Sequence, residues 1–303
     1  MQHPSVLNHL TDSSVVIFTV KINRDLECFL QDDYNFETTL RLLNDLPAQA
    51  KIQSLASPPC KIKALVTHLF TRYVLNFLLQ NPHFQEIVYR YTEYGKPMIA
   101  GLEFNSSSSN DIVAVAVTKR HPIGVDLSHR YQNVSDVNYM DQFRPIFHDD
   151  ESVGSYFQFN LLWTLKEAFT KLLGCGLNVD LSHFCFSGME SFTEEEYSGG
   201  ISDGISGERN LEVVSDCEWD RIDLNWCDAI SINADRLFHD HSKYVENWKN
   251  EFYCYSSVLE PGSGEEATPT PSLPVIMSVI TPFKVGELIC YEVNMLKILS
   301  QYV

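Results

Sequence analysis

Apolar residues fall at Ile62, Leu65, Val66, Leu69, Phe70, Tyr73, Val74 and Phe77. These i, i+3, i+4, i+7 intervals predict a long core helix over 61–80, just behind Pro58-Pro59. Lys61, Lys63 and Arg72 fall off that stripe and read as solubilising charges. Ser14–Asn23 has a different rhythm: its β-branched and aromatic run predicts a buried strand. Ile112–Thr118 and Ile123–Leu127 predict two more strands, with His121-Pro122 as the turn between them. Weaker signals give a helix over 36–46, a strand over 88–92 and a turn at Tyr94-Gly-Lys-Pro97. Phe104-Asn105 opens a serine run, and 143–151 and 157–162 have helical spacing. Farther on, 184–186, 211–214, 230–232, 252–258 and 275–280 predict short strands, and an apolar segment over 288–299 closes the chain.

No short-period repeat is visible. Each half carries helix plus strands, so a duplicated α+β unit joined near Thr118–Pro122 fits the pattern. Two stretches interrupt it. Residues 187–210 are rich in Ser, Gly and Glu, and 261–274 are rich in Pro, Gly and acid. Both compositions predict mobile excursions without a core to join.

A length of 303 residues allows one large domain or two ordinary ones. The net charge of −18 disfavours a general nucleic-acid binder, which needs a basic face. No run of 18 apolar residues predicts a membrane span. The eight cysteines include no Cys-x-x-Cys, so no zinc or thioredoxin motif is signalled, and they read as free thiols of a reducing compartment. With no export or import pattern near Met1, the expected location is the cytoplasm.

The candidate chemistry sits in Trp163–Leu177, which predicts a helix of about three turns stopped by Gly174. Trp163, Glu167 and Lys171 are four apart and share a face, with Lys166 on its flank. Taken alone, Lys-Glu is an ordinary surface pair. Asp126 is expected at the end of the strand behind Gly124, where an aspartate is usually a turn residue. Together, Asp126 and Glu167 supply the one or two carboxylates that magnesium takes beside phosphate oxygens, and Lys166 and Lys171 can neutralise a polyphosphate.

Gly124-Val-Asp-Leu127 followed by Trp163-Thr-Leu-Lys-Glu-Ala-Phe-Thr-Lys171 resembles the larger, Sfp-type 4′-phosphopantetheinyl transferases. Supporting matches are Tyr94-Gly-Lys-Pro97, Phe104-Asn105, Phe147–Glu151 and the Gly174-Cys-Gly-Leu177 exit. The resemblance covers 60–190 with motifs and the rest more loosely. It implies an α+β fold of two pseudo-symmetric lobes, each a small antiparallel sheet packed on a long helix. The expected lobes are 1–119 and 120–303, the second carrying acidic insertions near 187–210 and 259–274.

The implied reaction is that of a holo-[acyl-carrier-protein] synthase. Coenzyme A binds with Mg2+ on its diphosphate, and the serine of an apo acyl- or peptidyl-carrier domain takes the phosphopantetheine. The resemblance makes Asp126 and Glu167 the metal ligands and Glu167 also the base. It makes Lys166 and Lys171 phosphate contacts, Lys96 an adenine or phosphate contact, and Arg72 a contact to the 3′-phosphate. Three positions depart from the family pattern. Ser128 replaces a second acid, Ser108 replaces a coenzyme-binding histidine, and Cys175 replaces a lysine. Size, insertions and Ser128 make the chain similar to fungal members that activate α-aminoadipate reductase for lysine biosynthesis. The expected enzyme is a monomer. The rival readings are a non-catalytic paralogue that holds a carrier protein or coenzyme A, and an unrelated magnesium-dependent phosphate enzyme.

Overall fold

Strand β1 (Ser14–Lys21) is buried from Ser14 to Val20 and lies at the middle of a five-stranded sheet. The computed structural model describes residues 4–129, 139–193, 218–240, 242–259 and 274–303. Helix α1 (Pro4–His9) precedes β1, and α2 (Arg24–Gln31), α3 (Asp33–Arg41), α4 (Leu46–Gln53) and α5 (Pro58–Leu78) follow it. Next come β2 (Arg90–Tyr91), β3 (Pro97–Met98), β4 (Glu103–Ser109), β5 (Ile112–Thr118) and β6 (Gly124–His129). Helices α6 (Tyr139–Phe143) and α7 (Tyr156–Leu173) lead to β7 (Cys185–Ser187), β8 (Trp219–Ile222) and β9 (Ser231–Asn233). The chain ends with β10 (Tyr253–Leu259), β11 (Val275–Thr281), β12 (Glu287–Val293) and a short helix, Met295–Leu299.

The two faces of β1 are both buried, because alternate residues point to opposite sides. Val16, Phe18 and Val20 join the core beneath α5, with Leu65, Leu69, Phe70 and Tyr73. Val15 and Ile17 point the other way, to a second core shared with Val125, Leu127, Met277 and Val279. Those residues belong to the second sheet, ordered β10-β11-β6. Its far face, with Ile276 and Ile280, packs on Leu161, Leu165, Phe169 and Leu172 of α7. The layers therefore run α5, first sheet, second sheet, α7, the expected mixed α+β arrangement of small sheets with a long helix on each outer side.

Two features of the first sheet go beyond the expectation. Its order is β4-β5-β1-β12-β8, so two strands from the C-terminal part of the chain complete it. The 1–119 and 120–303 division is thus crossed by the sheet. The β1–β12 pair is also parallel, unlike its other pairings. A parallel pair needs a long crossover, and here that connection runs through the whole second sheet. Local periodicity marks 288–299 as apolar but carries no signal for its partner.

Smaller differences have local causes. The helical spacing over 143–151 gives only α6 and a 3-10 turn to Ile146 around Pro145, after which the chain turns. The segment 157–162 is the start of α7 itself, capped by Ser155 Oγ accepting the Gln158 N–H at 3.1 Å. Asp126 lies inside β6, opposite Ser278, and not at its end. The expected strand 211–214, the insertion from 194 onward and residues 260–273 lie outside the described residues. Among the described residues no helix is long and apolar enough to cross a membrane.

Gly124 explains how closely α7 sits on β6. A Cβ at this position would lie 1.9 Å from the Ala168 carbonyl oxygen and 2.7 Å from the Leu172 nitrogen, both backbone atoms. Only a residue without a side chain permits that approach. Gly124→Ala is expected to destabilise the fold by about 1–3 kcal/mol, the usual range for overpacking, with a shift of α7 away from β6. Urea unfolding checks it, and an unchanged midpoint would show that the contact is slack.

Candidate active site

Strand β6 is an edge strand of the second sheet and β4 an edge strand of the first, and side chains join these two edges. Asn105 Oδ1 accepts the Val125 N–H at 3.0 Å, and Ser107 Oγ accepts the Leu127 N–H at 3.3 Å. Asn105 and Ser107 are two apart on β4, so both lie on one face. The Val125 and Leu127 N–H groups of the β6 edge are thereby satisfied without a neighbouring strand.

Asp126, between those two positions, is buried. Its Oδ1 accepts from Lys171 Nζ at 2.6 Å and from Ser107 Oγ at 2.8 Å. The Lys171 ammonium also donates to Ser107 Oγ at 3.1 Å and to the Val125 carbonyl at 3.3 Å. Ser107 therefore donates to the carboxylate while accepting from the amine and a backbone N–H, so its orientation is fixed. Glu167, one turn before Lys171 on α7, is half-buried. Burial raises its carboxyl above the usual range, the Asp126 charge raises it further, and Lys171 opposes both. Two carboxylates facing one ammonium leave a negative charge over. All-oxygen donors with that excess suit a hard divalent cation.

The face that sequence spacing marked on α7 thus meets Asp126. Gly174 ends the helix in the left-handed region at φ +72°, with its N–H on the Lys171 carbonyl at 3.3 Å. Lys96 then fixes that end. Its ammonium donates to the carbonyls of Lys171 at 2.7 Å, Leu172 at 3.2 Å and Ile123 at 3.2 Å. This ties the C-terminus of α7 to the approach of β6, a favourable place for a cation. Burial lowers the Lys96 amine to about 8, against the pull of Glu103.

Three expected phosphate contacts bond protein groups in this structure. Lys96 holds backbone carbonyls. Lys166 is fully buried on a different side of α7 from Glu167, pairing with Glu151 Oε2 at 2.9 Å. It also donates to the carbonyls of Leu181 at 2.8 Å and Phe184 at 2.9 Å. Arg72 is buried on α5 and donates to the Leu43 carbonyl. Ser108 does face solvent on β4, beside Ser107. Ser128 donates to Asn160 Oδ1 on α7 at 3.0 Å, so the position of a second acid carries a committed hydroxyl. Sequence reading missed Ser107 and Asn160, and named Asn105 and Glu151 only as motif matches without a role. The one available signal was the alternation of Asn105 and Ser107 within the serine run.

No family model matches the chain. Three named proteins do. The chain is 28% identical over 249 residues to an L-aminoadipate-semialdehyde dehydrogenase-phosphopantetheinyl transferase of Saccharomyces cerevisiae, covering 74% of this chain and 86% of the relative. It is 31% identical over 134 residues to the 4′-phosphopantetheinyl transferase gsp of Aneurinibacillus migulanus, covering 40% and 52%. The chain is similar to proteins named 4′-phosphopantetheinyl transferases. A Candida glabrata protein with the same name as the yeast one is 28% identical over 183 residues, covering 56% of this chain and 68% of the relative. The regions that the motifs span, β6 and α7, are the ones that bring Asp126, Glu167 and Lys171 together.

Proposed function

We propose that the chain transfers 4′-phosphopantetheine from coenzyme A to a serine of an apo carrier domain. The observation that carries this is the Asp126–Lys171 pair set against a raised Glu167, held at the junction of two sheet edges. The names of the relatives supply the reaction class. Similarity to two proteins named for L-aminoadipate-semialdehyde dehydrogenase favours α-aminoadipate reductase as the carrier-bearing partner, in lysine biosynthesis. The enzyme is read as a cytoplasmic monomer.

In the reaction the serine Oγ attacks the β-phosphorus of coenzyme A. The bond from that phosphorus to the bridging oxygen breaks, and adenosine 3′,5′-bisphosphate leaves. Glu167 accepts the serine proton, a role suited to a carboxylate whose basicity burial and Asp126 have raised. Lys171 faces the diphosphate from the rim and balances charge as it builds. Ser108 pairs with Val113 and so lies on the other face of β4 from Ser107, outside this set. Asp126 and Glu167 would hold Mg2+, whose charge would stabilise the phosphoryl oxygens. Lys96 serves by fixing α7 to β6, so Asp126 and Lys171 keep their spacing.

The test is mass spectrometry of an apo carrier domain of α-aminoadipate reductase after incubation with the protein, coenzyme A and magnesium. The expected gain is about 340 Da, the mass of the covalent group, lost when EDTA is added. Tight carrier binding without any mass gain would replace the transferase with a binding paralogue.

A further inference from the structure

A second cluster of donors lies on a different side of α7 from the proposed active site. Among the described residues, His148, Asp150 and Cys185 each offer a ligand atom, and these atoms lie within 4.8 Å of one another. The cluster is built on Glu151. Glu151 Oε2 accepts the His148 N–H at 2.9 Å and pairs with Lys166, while Oε1 accepts the Phe186 N–H at 3.0 Å. That one buried carboxylate stitches the turn at 148–151 to strand β7, and so brings Cys185 against His148.

The surroundings favour a cation. The Cys185 sulfur is buried, and the carboxylates of Glu151 and Asp150 act on it from nearby. The Lys166 ammonium opposes them, but Glu151 already offsets its charge. His148 Nδ1 accepts the Asp150 N–H at 3.1 Å and stands 3.4 Å from the Asp150 carboxylate, which keeps the turn closed around the donors. The His148 side chain is 24% exposed and that of Asp150 80%, so the cluster opens to solvent on one side. His148 also lines a cleft of about 570 Å³ together with Arg144 and Arg236.

We propose that His148, Asp150 and Cys185 form a zinc site, separate from the carboxylate pair of Asp126 and Glu167. One thiolate, one imidazole and one carboxylate match the ligands zinc takes, and three protein ligands leave its fourth position to water. Magnesium and calcium prefer oxygen alone, so the two sites divide metals by chemistry. Zinc here ties the turn to β7 from outside, as Glu151 does from inside.

The experiment uses the full-length protein after chelator treatment and dialysis. Zinc chloride is titrated by calorimetry, and cobalt(II) is followed by its absorption. The expected result is one tight equivalent of zinc, insensitive to excess magnesium, and a cobalt–thiolate charge-transfer band. Cys185→Ser removes that band and weakens zinc binding by more than about 10-fold, a loss that even partners behind the ligands produce. Asp150→Asn sits on the exposed turn, so its expected weakening tests the site even if Cys185→Ser fails to fold. Unchanged zinc affinity in both variants overturns the proposal. So does a wild-type protein that binds no zinc, or zinc binding that vanishes with Asp126→Asn instead.

Discussion

Glu151→Gln is expected to destabilise the protein by about 3–5 kcal/mol, the range for breaking one side of a buried ion pair. Both side chains of the Glu151–Lys166 pair are fully buried, so the remaining ammonium finds no water. Burial already lowers the Lys166 amine, with Glu151 the main counterweight. Removing the carboxylate charge therefore leaves Lys166 to lose its proton or drive the turn open. The variant also weakens the bonds to His148 N and Phe186 N that join the turn to β7. Urea unfolding of Glu151→Gln, Lys166→Met and the double variant decides the matter. The double variant is expected to recover much of the loss, since an apolar replacement of both partners leaves no orphaned charge. Additive losses would mean that the two side chains act independently.

The same comparison separates two roles for Lys166. A phosphate contact raises KM for coenzyme A when removed and leaves the fold alone. A buried strut lowers stability and leaves KM nearly unchanged in the molecules that remain folded. The geometry supports the strut. Sequence spacing placed Lys166 on the flank of the active face because it neighbours Glu167. One residue along a helix is a turn of about 100°, enough to carry a side chain from the cleft to the core. Its partner lies in a turn with no periodic pattern, so nothing local announced it.

What could be read in the chain was what repeats at short range. The stripe on α5, the buried run of β1, and the Glu167–Lys171 spacing all follow from one helical or strand period, and each is present. Arg72 shows the limit. It falls off the apolar stripe, yet it is buried, because the chain before α5 folds back and offers the Leu43 carbonyl. Strand β4 shows another. Four serines in a row suit a loop by propensity, but pairing with β5 and the bonds from Asn105 and Ser107 to β6 make them a strand. The parallel β1–β12 pair and the position of β8 depend on contacts far apart in the chain. Those contacts are set by which apolar faces remain uncovered once the two halves meet.

Glu167→Gln is expected to lower phosphopantetheine transfer by about 10²–10⁴-fold, the contribution of a positioned general base. The same substitution is expected to leave the melting temperature unchanged or raise it. The sign follows from the direction of the shift. Glu167 is raised in the folded protein, first by burial and then by Asp126, so its charged form is less favourable there than in the unfolded chain. A carboxyl with a raised folded value contributes stability below its unfolded value, and loses it as pH rises through the folded one. At neutral pH the charged Glu167 thus weakens the fold. Gln keeps the size, removes the repulsion with Asp126 and leaves the Asp126–Lys171 pair in place. Loss of activity with gained or equal stability is the mark of a residue held against its own preference for the sake of chemistry. Near-normal turnover would remove Glu167 from the mechanism. A large fall in melting temperature would instead make it a structural partner of Lys171.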